Sequence, residues 1–166
     1  MNFIVAVASD YAIGKDNDLL FSLPSDLRYF KEKTTNKIVV MGERTYHSLP
    51  KRPLPNRINI VLSNNLDFND DGIIIVRSIP ELLEEVKKYN SEDVFVMGGA
   101  SVYNQLMDYC TYAYITKVNK ITQADTFINN IDNMSDWQII SSSDSMIENG
   151  LEFKFVVYKN SNPLPF

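Results

Sequence analysis

Short apolar, β-branched runs alternate with segments of helical periodicity along most of this chain. The predicted strands are 2–8, 37–41, 58–62, 73–77, 93–97, 112–118 and 151–158. The predicted helices are 24–34, about 43–49, 79–89 and 100–108. Apolar strands separated by helices are typical of a sheet that is buried on both faces. The alternation therefore predicts an α/β fold, with a mostly parallel central β-sheet and helices on both faces.

The last strands depart from this alternation, because no helical segment separates them. Trp137 to Ser143 and Leu151 to Tyr158, joined through Asn149-Gly150, predict a hairpin that adds an antiparallel C-terminal edge strand. No linker, repeat or low-complexity tract interrupts the chain. We expect a single domain over residues 1–160, followed by a short tail over residues 161–166.

Composition excludes several classes of protein. The longest apolar runs, 3–8 and 73–76, are too short to cross a bilayer, and Met1-Asn2 lead into a strand without a basic signal-peptide head. We therefore expect a cytoplasmic protein that does not bind membranes. The net charge of −5 argues against a nucleic-acid binder, because basic surfaces carry phosphate binding. Cys110 and His47 are single, so neither a disulfide framework nor a metal site is expected; Cys110 fits a buried helical position.

Basic residues concentrate between positions 26 and 57, in a window that holds eight Lys and Arg residues but only three Asp and Glu residues. The rest of the chain is strongly acidic. A local positive field in an acidic protein fits a site for a small anionic ligand. A solvated basic surface explains the same charge distribution equally well.

Asp26 is the only acidic residue in the otherwise apolar and basic segment 23–31. Its apolar neighbours in sequence are Leu23, Leu27, Tyr29 and Phe30. A carboxylate in such surroundings requires a hydrogen-bonding partner or shifts its pKa, and a ligand can be that partner. The same pattern also fits an ordinary helix start, with Pro24 at the first helical position and Ser22 or Ser25 as the cap.

A second chemical signal is the glycine pair Gly98-Gly99, which follows a buried strand and leads directly into a predicted helix. Glycines at such a junction let a ligand approach the backbone, and the free N–H groups of the first helical turn favour a phosphate. The pair matches neither of the common nucleotide-binding motifs. Tight packing of the helix on the sheet is an equally good explanation of the glycines alone.

Seven motifs, in their order and spacing, resemble the dihydrofolate reductase family from Ile4 to about Tyr158. The motifs are Ala6-x-Ala8 followed by Ile13-Gly14; Leu23-Pro24-x-Asp26-Leu27-x-x-Phe30-Lys31; Val40-Met41-Gly42 with Arg44-Thr45; Arg52-Pro53-Leu54-Pro55-x-Arg57-x-Asn59; Met97-Gly98-Gly99 through Val102-Tyr103; Tyr114-x-Thr116; and Asp125-Thr126-Phe127. The resemblance implies a dihydrofolate-reductase-like fold and a monomer that binds dihydrofolate and antifolate inhibitors. It also implies hydride transfer from NADPH to C6 of 7,8-dihydrofolate with protonation of N5, which supplies tetrahydrofolate for one-carbon metabolism.

The resemblance also assigns roles around the substrate. It implies that Asp26 binds the 2-amino and N3 groups of the pterin and promotes protonation of N5, supported by the Thr116 hydroxyl. Arg57 is similar to the arginine that pairs with the α-carboxylate of the substrate, a role that suits its planar fork. The implied substrate-binding residues are Ile4, Val5, Ala6, Leu27, Phe30, Lys31, Leu49, Arg52, Arg57, Met97 and Tyr103.

For the cofactor, the resemblance implies that the glycine pair, joined by a cis peptide bond, binds the pyrophosphate of NADPH. Thr45 is similar to a second phosphate contact. The implied cofactor-binding residues are Ala6, Ile13, Gly14, Gly42, Arg44, Thr45, Leu62, Ser63, Asn64, Arg77, Gly98, Gly99, Ala100, Ser101, Val102 and Tyr103.

Three departures from the family pattern concern the loop and the cofactor site. Leu20-Phe21 replaces the Pro-Trp of the flexible loop over the active site, so the resemblance implies a catalytic position for Phe21, which keeps the aromatic ring but loses the indole N–H donor. Glu43 replaces a basic residue used on the 2′-phosphate, and Ala100 replaces the third glycine. Two alternatives stay open at this point: a reductase of the same fold that acts on a riboflavin-pathway pyrimidine, and a binding module without catalytic activity.

Overall fold

The central sheet of the computed structural model, which describes residues 1–166, contains nine strands. The strands of the chain are β1 (Asn2–Val7), β2 (Ala12–Lys15), β3 (Asp18–Leu19), β4 (Ile38–Gly42), β5 (Ile58–Leu62), β6 (Ile74–Val76), β7 (Val94–Val96), β8 (Tyr112–Val118), β9 (Thr126–Phe127), β10 (Trp137–Ser142), β11 (Met146–Glu148) and β12 (Leu151–Asn160). The helices are α1 (Pro24–Thr34), α2 (Glu43–Ser48), α3 (Ile79–Val86) and α4 (Ala100–Leu106). Short 3₁₀ turns span Ser91–Asp93, Met107–Tyr109 and Ile131–Asn133.

The order of the central sheet is β10-β12-β8-β1-β7-β4-β5-β6, with β11 also paired to β12. All pairs from β8 to β6 are parallel, while β12 runs antiparallel to β8. Helices α3 and α4 each connect two of the parallel strands, as crossovers in such sheets must. The predicted mostly parallel α/β sheet with an antiparallel C-terminal addition is confirmed.

Strand β4 shows why the sheet needs helices on both faces. Ile38 and Val40 belong to the main hydrophobic cluster, whereas Val39 and Met41 belong to a second cluster. Successive side chains of a strand point to opposite faces, so both faces of β4 are buried. The main cluster is completed by α3 and α4, and the second cluster contains Tyr46 of α2.

The predicted antiparallel pairing of the two C-terminal segments is confirmed, because β10 pairs with β12, but the short strand β11 lies between them in the sequence. The turn at Asn149-Gly150, where both residues have positive φ, joins β11 to β12 and does not join 137–143 directly to 151–158. Strand β12 pairs with β8 along one edge and with β10 and β11 along the other, so β10 and β11 form the edge of the sheet. Because β12 is ten residues long, one of its edges has room for two shorter partners.

Several short elements were missed and some helix ends were predicted too late. Strands β3, β2 and β9 form a separate three-stranded sheet, and segments of two to four residues are too short to show periodicity. Helix α3 ends at Val86, and a 3₁₀ turn follows α4, so buried Cys110 lies after that turn and not on a helix. No helix has the length and the apolar character needed to span a membrane.

Candidate active site

Helix α1 places Asp26 in its first turn, with Pro24 at the first helical position. Leu23 is the N-cap residue, and no side chain of the N-cap accepts a hydrogen bond. The alternative in which Ser22 or Ser25 caps the helix is therefore wrong. Leu23 is buried, whereas Leu27 is 58% exposed, so only part of the predicted apolar surroundings of Asp26 is closed to solvent. The exposed Leu27 leaves an apolar surface next to the carboxylate that a ligand can cover.

Thr116 is the only protein side chain that hydrogen-bonds the carboxylate of Asp26. Its Oγ1 donates to Asp26 Oδ1 over 2.6 Å, and Asp26 Oδ2 has no hydrogen-bonding partner in the protein. Burial raises the pKa of Asp26 above its ordinary value of 3.8, and the hydrogen bond from Thr116 opposes this shift without cancelling it. The pair predicted from the sequence is therefore assembled, with one carboxylate oxygen available to a ligand.

The strand β1 forms the neighbouring surface of this site. Ala6 of β1 pairs directly with Thr116 of β8. The hydroxyl of Tyr103, from α4, donates to the carbonyl oxygen of Ile4 over 2.7 Å. Burial, followed by the charge of Asp26, raises the pKa of Tyr103. These contacts bring Ile4, Ala6, Tyr103 and the Asp26–Thr116 pair to one region, as expected for a common site; partly buried Val5 lies between Ile4 and Ala6.

Arg57 lies at the opposite end of α1 from Asp26. Its Nη1 donates to Oγ1 of Thr34 over 3.0 Å and its Nε donates to the carbonyl of Pro55 over 3.0 Å, so Nη2 has no partner in the protein. The guanidinium also lies 5.8 Å from the ring centroid of Phe30. Asp26 and Thr34 are eight residues apart on the helix, or about 12 Å along its axis. A ligand that extends along α1 would therefore meet a carboxylate at one end and a cation at the other.

The other predicted substrate residues have no hydrogen bond with Asp26 or Thr116. Arg52 donates to the carbonyl oxygen of His47 over 2.6 Å and lies over the ring of Tyr46, so it is held at the end of α2. Lys31 is exposed and forms no ion pair. Leu49 and Met97 pack against the second hydrophobic cluster.

Phe21 packs against a small hydrophobic cluster that contains Leu23, Val118 and Phe153. Val118 lies two residues beyond Thr116 on β8, and therefore on the same face of the sheet. Phe21 is thus close in the fold to the Asp26–Thr116 pair, although it forms no hydrogen bond with either residue.

The glycine pair brings the first turns of α2 and α4 together. The Gly98–Gly99 peptide bond is cis, as the family resemblance implies, and the N–H of Gly42 donates to the carbonyl oxygen of Gly98 over 2.9 Å. Gly98 has φ +137, and a Cβ atom at Gly98 would lie 3.3 Å from Oγ1 of Thr45. This surface lies where parallel β4 and β7 end and their helices begin, the usual place for ligands of open α/β sheets.

A polar cluster lies beyond α2. Glu43 accepts a hydrogen bond from the hydroxyl of buried Ser63 and contacts Nε2 of His47 at 3.2 Å. Arg77 donates to the carbonyl oxygens of Ser63, Asn65 and Phe68, the first of these over 3.3 Å. Arg44 is exposed and has no hydrogen-bonding partner in the protein. The predicted cofactor residues Ser63 and Arg77 therefore adjoin each other, and Glu43 occupies the Ser63 hydroxyl.

Known proteins that are similar to this chain in sequence or in fold indicate its family. The family model described as dihydrofolate reductase matches residues 1–160. The chain belongs to the dihydrofolate reductase family. The dihydrofolate reductase of Bacillus subtilis is 35% identical over 98% of this chain and 95% of its own length. The type 9 dihydrofolate reductase of Escherichia coli is 33% identical over 99% of this chain and 95% of its own length.

A solved structure of the family also superposes on nearly the whole chain. It is dihydrofolate reductase from Enterococcus faecalis complexed with NADP(H) and RAB-propyl, with a TM-score of 0.87 and 31% sequence identity. The match covers 97% of this chain and 96% of that one. The family resemblance drawn from seven motifs is therefore confirmed by sequence and by fold.

Sequence reasoning missed the contact between Glu148 and the start of α1. Glu148 accepts hydrogen bonds from the backbone and the hydroxyl of Ser25, the residue before Asp26. No local pattern links two residues that are 123 positions apart. The Asn149-Gly150 turn was predicted to join 137–143 to 151–158, whereas it joins β11, which ends at Glu148, to β12.

Proposed function

We propose that this protein is an NADPH-dependent dihydrofolate reductase, which reduces 7,8-dihydrofolate to 5,6,7,8-tetrahydrofolate. The reaction adds a hydride to C6 and a proton to N5 of the pterin. The observation that carries the proposal is the semi-buried Asp26 carboxylate, held by Thr116 at one oxygen and free at the other. The family match and the fold match support the same reaction.

Asp26 is suited to bind the pterin and to favour its protonation. A carboxylate matches two adjacent N–H donors, and both oxygens of Asp26 retain lone pairs that can accept the pterin 2-amino and N3 groups. Its burial makes a neighbouring positive charge favourable, which promotes the protonated form of the substrate at N5. The same carboxylate can bind a protonated diaminopyrimidine, so antifolates of that class are expected to compete with the substrate.

The rest of the substrate is proposed to extend along α1. Leu27 and Phe30 offer apolar surface beside the helix, and Ile4, Val5 and Ala6 line the pterin side. Arg57, with Nη2 free, provides a planar donor for the α-carboxylate. Lys31, Arg52, Leu49 and Met97 are proposed to lie around the outer part of this site.

The surface near Gly98 has space for the pyrophosphate group of the cofactor. The absence of Cβ atoms at Gly98 and Gly99 leaves room beside the Thr45 hydroxyl. Helix α4 begins at the next residue, Ala100, and the N–H groups of a first helical turn favour a phosphate. We propose that Gly42, Thr45 and residues 98–102 hold the pyrophosphate. Ala6, Ile13, Gly14 and Tyr103 would adjoin the nicotinamide, and Arg44, Leu62, Ser63, Asn64 and Arg77 the adenosine end. NADPH, when bound, supplies the hydride.

Finer properties of the protein stay predictions. Residues 1–160 are proposed to form one reductase domain, in agreement with the extent of the family match, and residues 161–166 a tail. A monomer in the cytoplasm without a nucleic-acid partner is the state we expect. The net charge of −5 supports the last point.

The decisive experiment follows the loss of NADPH absorbance on addition of dihydrofolate. We expect oxidation that depends on dihydrofolate and that a diaminopyrimidine inhibitor suppresses. A riboflavin-pathway pyrimidine serves as the alternative substrate and should not support turnover. Folded protein that binds NADPH but never oxidises it would instead identify a binding module, and turnover of the pyrimidine alone would identify the other reductase.

A further inference from the structure

The first turn of α1 obtains its cap from a distant hairpin. Pro24 has no N–H group, and the N–H groups of Asp26 and Leu27 donate to the carbonyl oxygen of Leu23 over 3.0 and 3.1 Å. The remaining N–H group, that of Ser25, donates to Oε1 of Glu148 over 2.9 Å. Because the N-cap residue contributes no side-chain acceptor, Glu148 is the only side chain that caps this helix.

Both carboxylate oxygens of Glu148 are used on Ser25. The Ser25 hydroxyl donates to Glu148 Oε2 over 2.6 Å and accepts from Nη2 of Arg28 over 2.9 Å. The Ser25 side chain and then its backbone N–H lower the pKa of Glu148, so the carboxylate stays ionised at neutral pH. An anion at the start of a helix also interacts favourably with the helix dipole. Glu148 is therefore joined to Ser25 by two hydrogen bonds, one to each carboxylate oxygen.

The hairpin that carries Glu148 is tied to the strand that carries Thr116. Glu148 is the last residue of β11, and Asn149 in the following turn donates to the carbonyl oxygen of Ser22 over 3.3 Å. Strand β11 is paired with β12, and Phe155 of β12 pairs with Thr116 of β8. The same set of strands thus holds the Asp26 carboxylate directly, through Thr116, and its backbone indirectly, through the preceding residue.

We propose that Glu148 is a positioning residue of the active site, which fixes the first turn of α1 through Ser25 and thereby holds Asp26 against Thr116. Asp26 is the third residue of the helix, so fraying of an uncapped first turn would displace it. A displacement of about 1 Å at a reacting group can lower a rate about 100-fold. The inference rests on the proposed reduction of dihydrofolate.

The test compares the wild-type enzyme with Glu148→Ala, Glu148→Gln, Ser25→Ala and the control Glu152→Ala. Glu152 is an exposed carboxylate of β12 on the same hairpin, and its side chain forms no hydrogen bond in the protein. The values of kcat and of KM for dihydrofolate and for NADPH are measured well below the Tm of each variant.

We expect Glu148→Ala to lower kcat/KM for dihydrofolate about tenfold, within the range for a misplaced catalytic group. The KM for NADPH should not change, because the glycine loop lies on other strands. Glu148→Gln keeps an acceptor for the Ser25 N–H and should restore most of the activity. Glu152→Ala should behave as wild type.

A double-mutant cycle distinguishes the proposed positioning of Asp26 by the Glu148–Ser25 contact from a general loss of stability. Ser25→Ala removes the hydroxyl but keeps the backbone N–H, so its effect should be smaller, and Ser25→Ala with Glu148→Ala should be no worse than Glu148→Ala alone. A lower Tm with unchanged kcat and KM in Glu148→Ala would overturn the proposal, as would additive effects in the cycle. If Glu148→Ala does not fold, Glu148→Gln and Ser25→Ala decide by the same criteria. Failure of wild type and Glu152→Ala to reduce dihydrofolate would instead refute the proposed function.

Discussion

Two carboxylates, Asp26 and Asp132, lie against consecutive residues of β8 and differ in the direction of their pKa shifts. Asp26 is bound by Thr116, and Asp132 is bound by Lys117. Consecutive residues of a strand point to opposite faces of the sheet. Asp26 and Asp132 are therefore bound from opposite faces of one strand.

Both carboxylate oxygens of Asp132 accept hydrogen bonds from the protein. Its Oδ2 accepts from the Tyr11 hydroxyl over 3.0 Å and from Lys117 Nζ over 2.7 Å, and its Oδ1 accepts from the Tyr158 hydroxyl over 2.6 Å. Burial acts to raise the pKa of Asp132, but the hydrogen bonds from Lys117, Tyr158 and Tyr11 outweigh it and lower the pKa. This cluster joins the segment after β1 to β8, β12 and a 3₁₀ turn, and it leaves little for a ligand to bind.

Asp26 has one neutral donor, so burial prevails and its pKa rises. Asp132 is also exposed, whereas Asp26 is half-buried, so the extent of burial together with the number and charge of the donors sets the direction of each pKa shift. The two arginines repeat the contrast. Arg77 donates to three carbonyl oxygens of the protein, whereas Arg57 keeps Nη2 free.

The sharpest test of the contrast replaces each carboxylate by an amide. Asp26→Asn should lower turnover at neutral pH by at least about 100-fold, because a group that assists proton transfer is lost, while the fold and NADPH binding persist. Asp132→Asn is the matched control and should keep turnover close to that of wild type. Steady-state rates with dihydrofolate measure both. Near-normal turnover in Asp26→Asn would remove Asp26 from the mechanism.

The arginines give the next largest expected effect. Arg57→Ala should weaken the binding of dihydrofolate by about 1.5–3 kcal/mol, the range for a charge-assisted hydrogen bond. Binding of a pteridine without the glutamate tail should barely change. Arg77→Ala should lower the Tm and leave dihydrofolate binding intact. Titration of both ligands gives the answer, and equal losses for the two in Arg57→Ala would assign Arg57 a structural role.

A smaller effect is expected at the adenosine end of the cofactor site. Glu43 holds the Ser63 hydroxyl and places negative charge where a 2′-phosphate is proposed to bind. NADPH should still be preferred over NADH through Arg44, and Glu43→Arg should widen the preference about tenfold, equivalent to about 1.4 kcal/mol. Arg44→Ala should narrow it. The ratio of kcat/KM for the two cofactors at low and moderate salt is the measurement, and an unchanged ratio in Glu43→Arg would refute this view of cofactor choice.

The subtlest difference concerns stability as a function of pH. The folded-state pKa of Asp26 is raised, so the folded state binds its proton more tightly and stability falls as pH rises from 3.8 through the folded-state pKa. The folded-state pKa of Asp132 is lowered, so its contribution is present above 3.8 and is lost as pH falls through the folded-state pKa.

At neutral pH, Asp26→Asn should therefore raise the Tm and Asp132→Asn should lower it, and both differences should shrink in acid. Thermal unfolding of the wild type, Asp26→Asn and Asp132→Asn across the pH range checks the sign of both Tm differences. A lower Tm in Asp26→Asn at neutral pH would show that the Thr116 hydrogen bond outweighs the burial of the carboxylate.

Local sequence patterns were sufficient for features set by neighbouring residues. The bounds of α1 were predicted correctly, because Pro24 marks its first turn, and the glycine pair was placed at a strand-to-helix junction. The contacts of Glu148 with Ser25 and of Glu43 with Ser63 were not predicted. Both depend on side chains that the sheet brings together from different strands and helices, which no periodicity encodes.

The central position of β1 has a consequence for how the chain acquires its structure. Asn2 of β1 pairs with Phe95 on one side and with Tyr112 on the other, so both partners of this strand are made long after it. Such long sequence separations slow folding, because loops must close before the contacts form. During synthesis the apolar strand β1 therefore stays unpaired until β7 and β8 have emerged from the ribosome. In that interval it can associate with other chains.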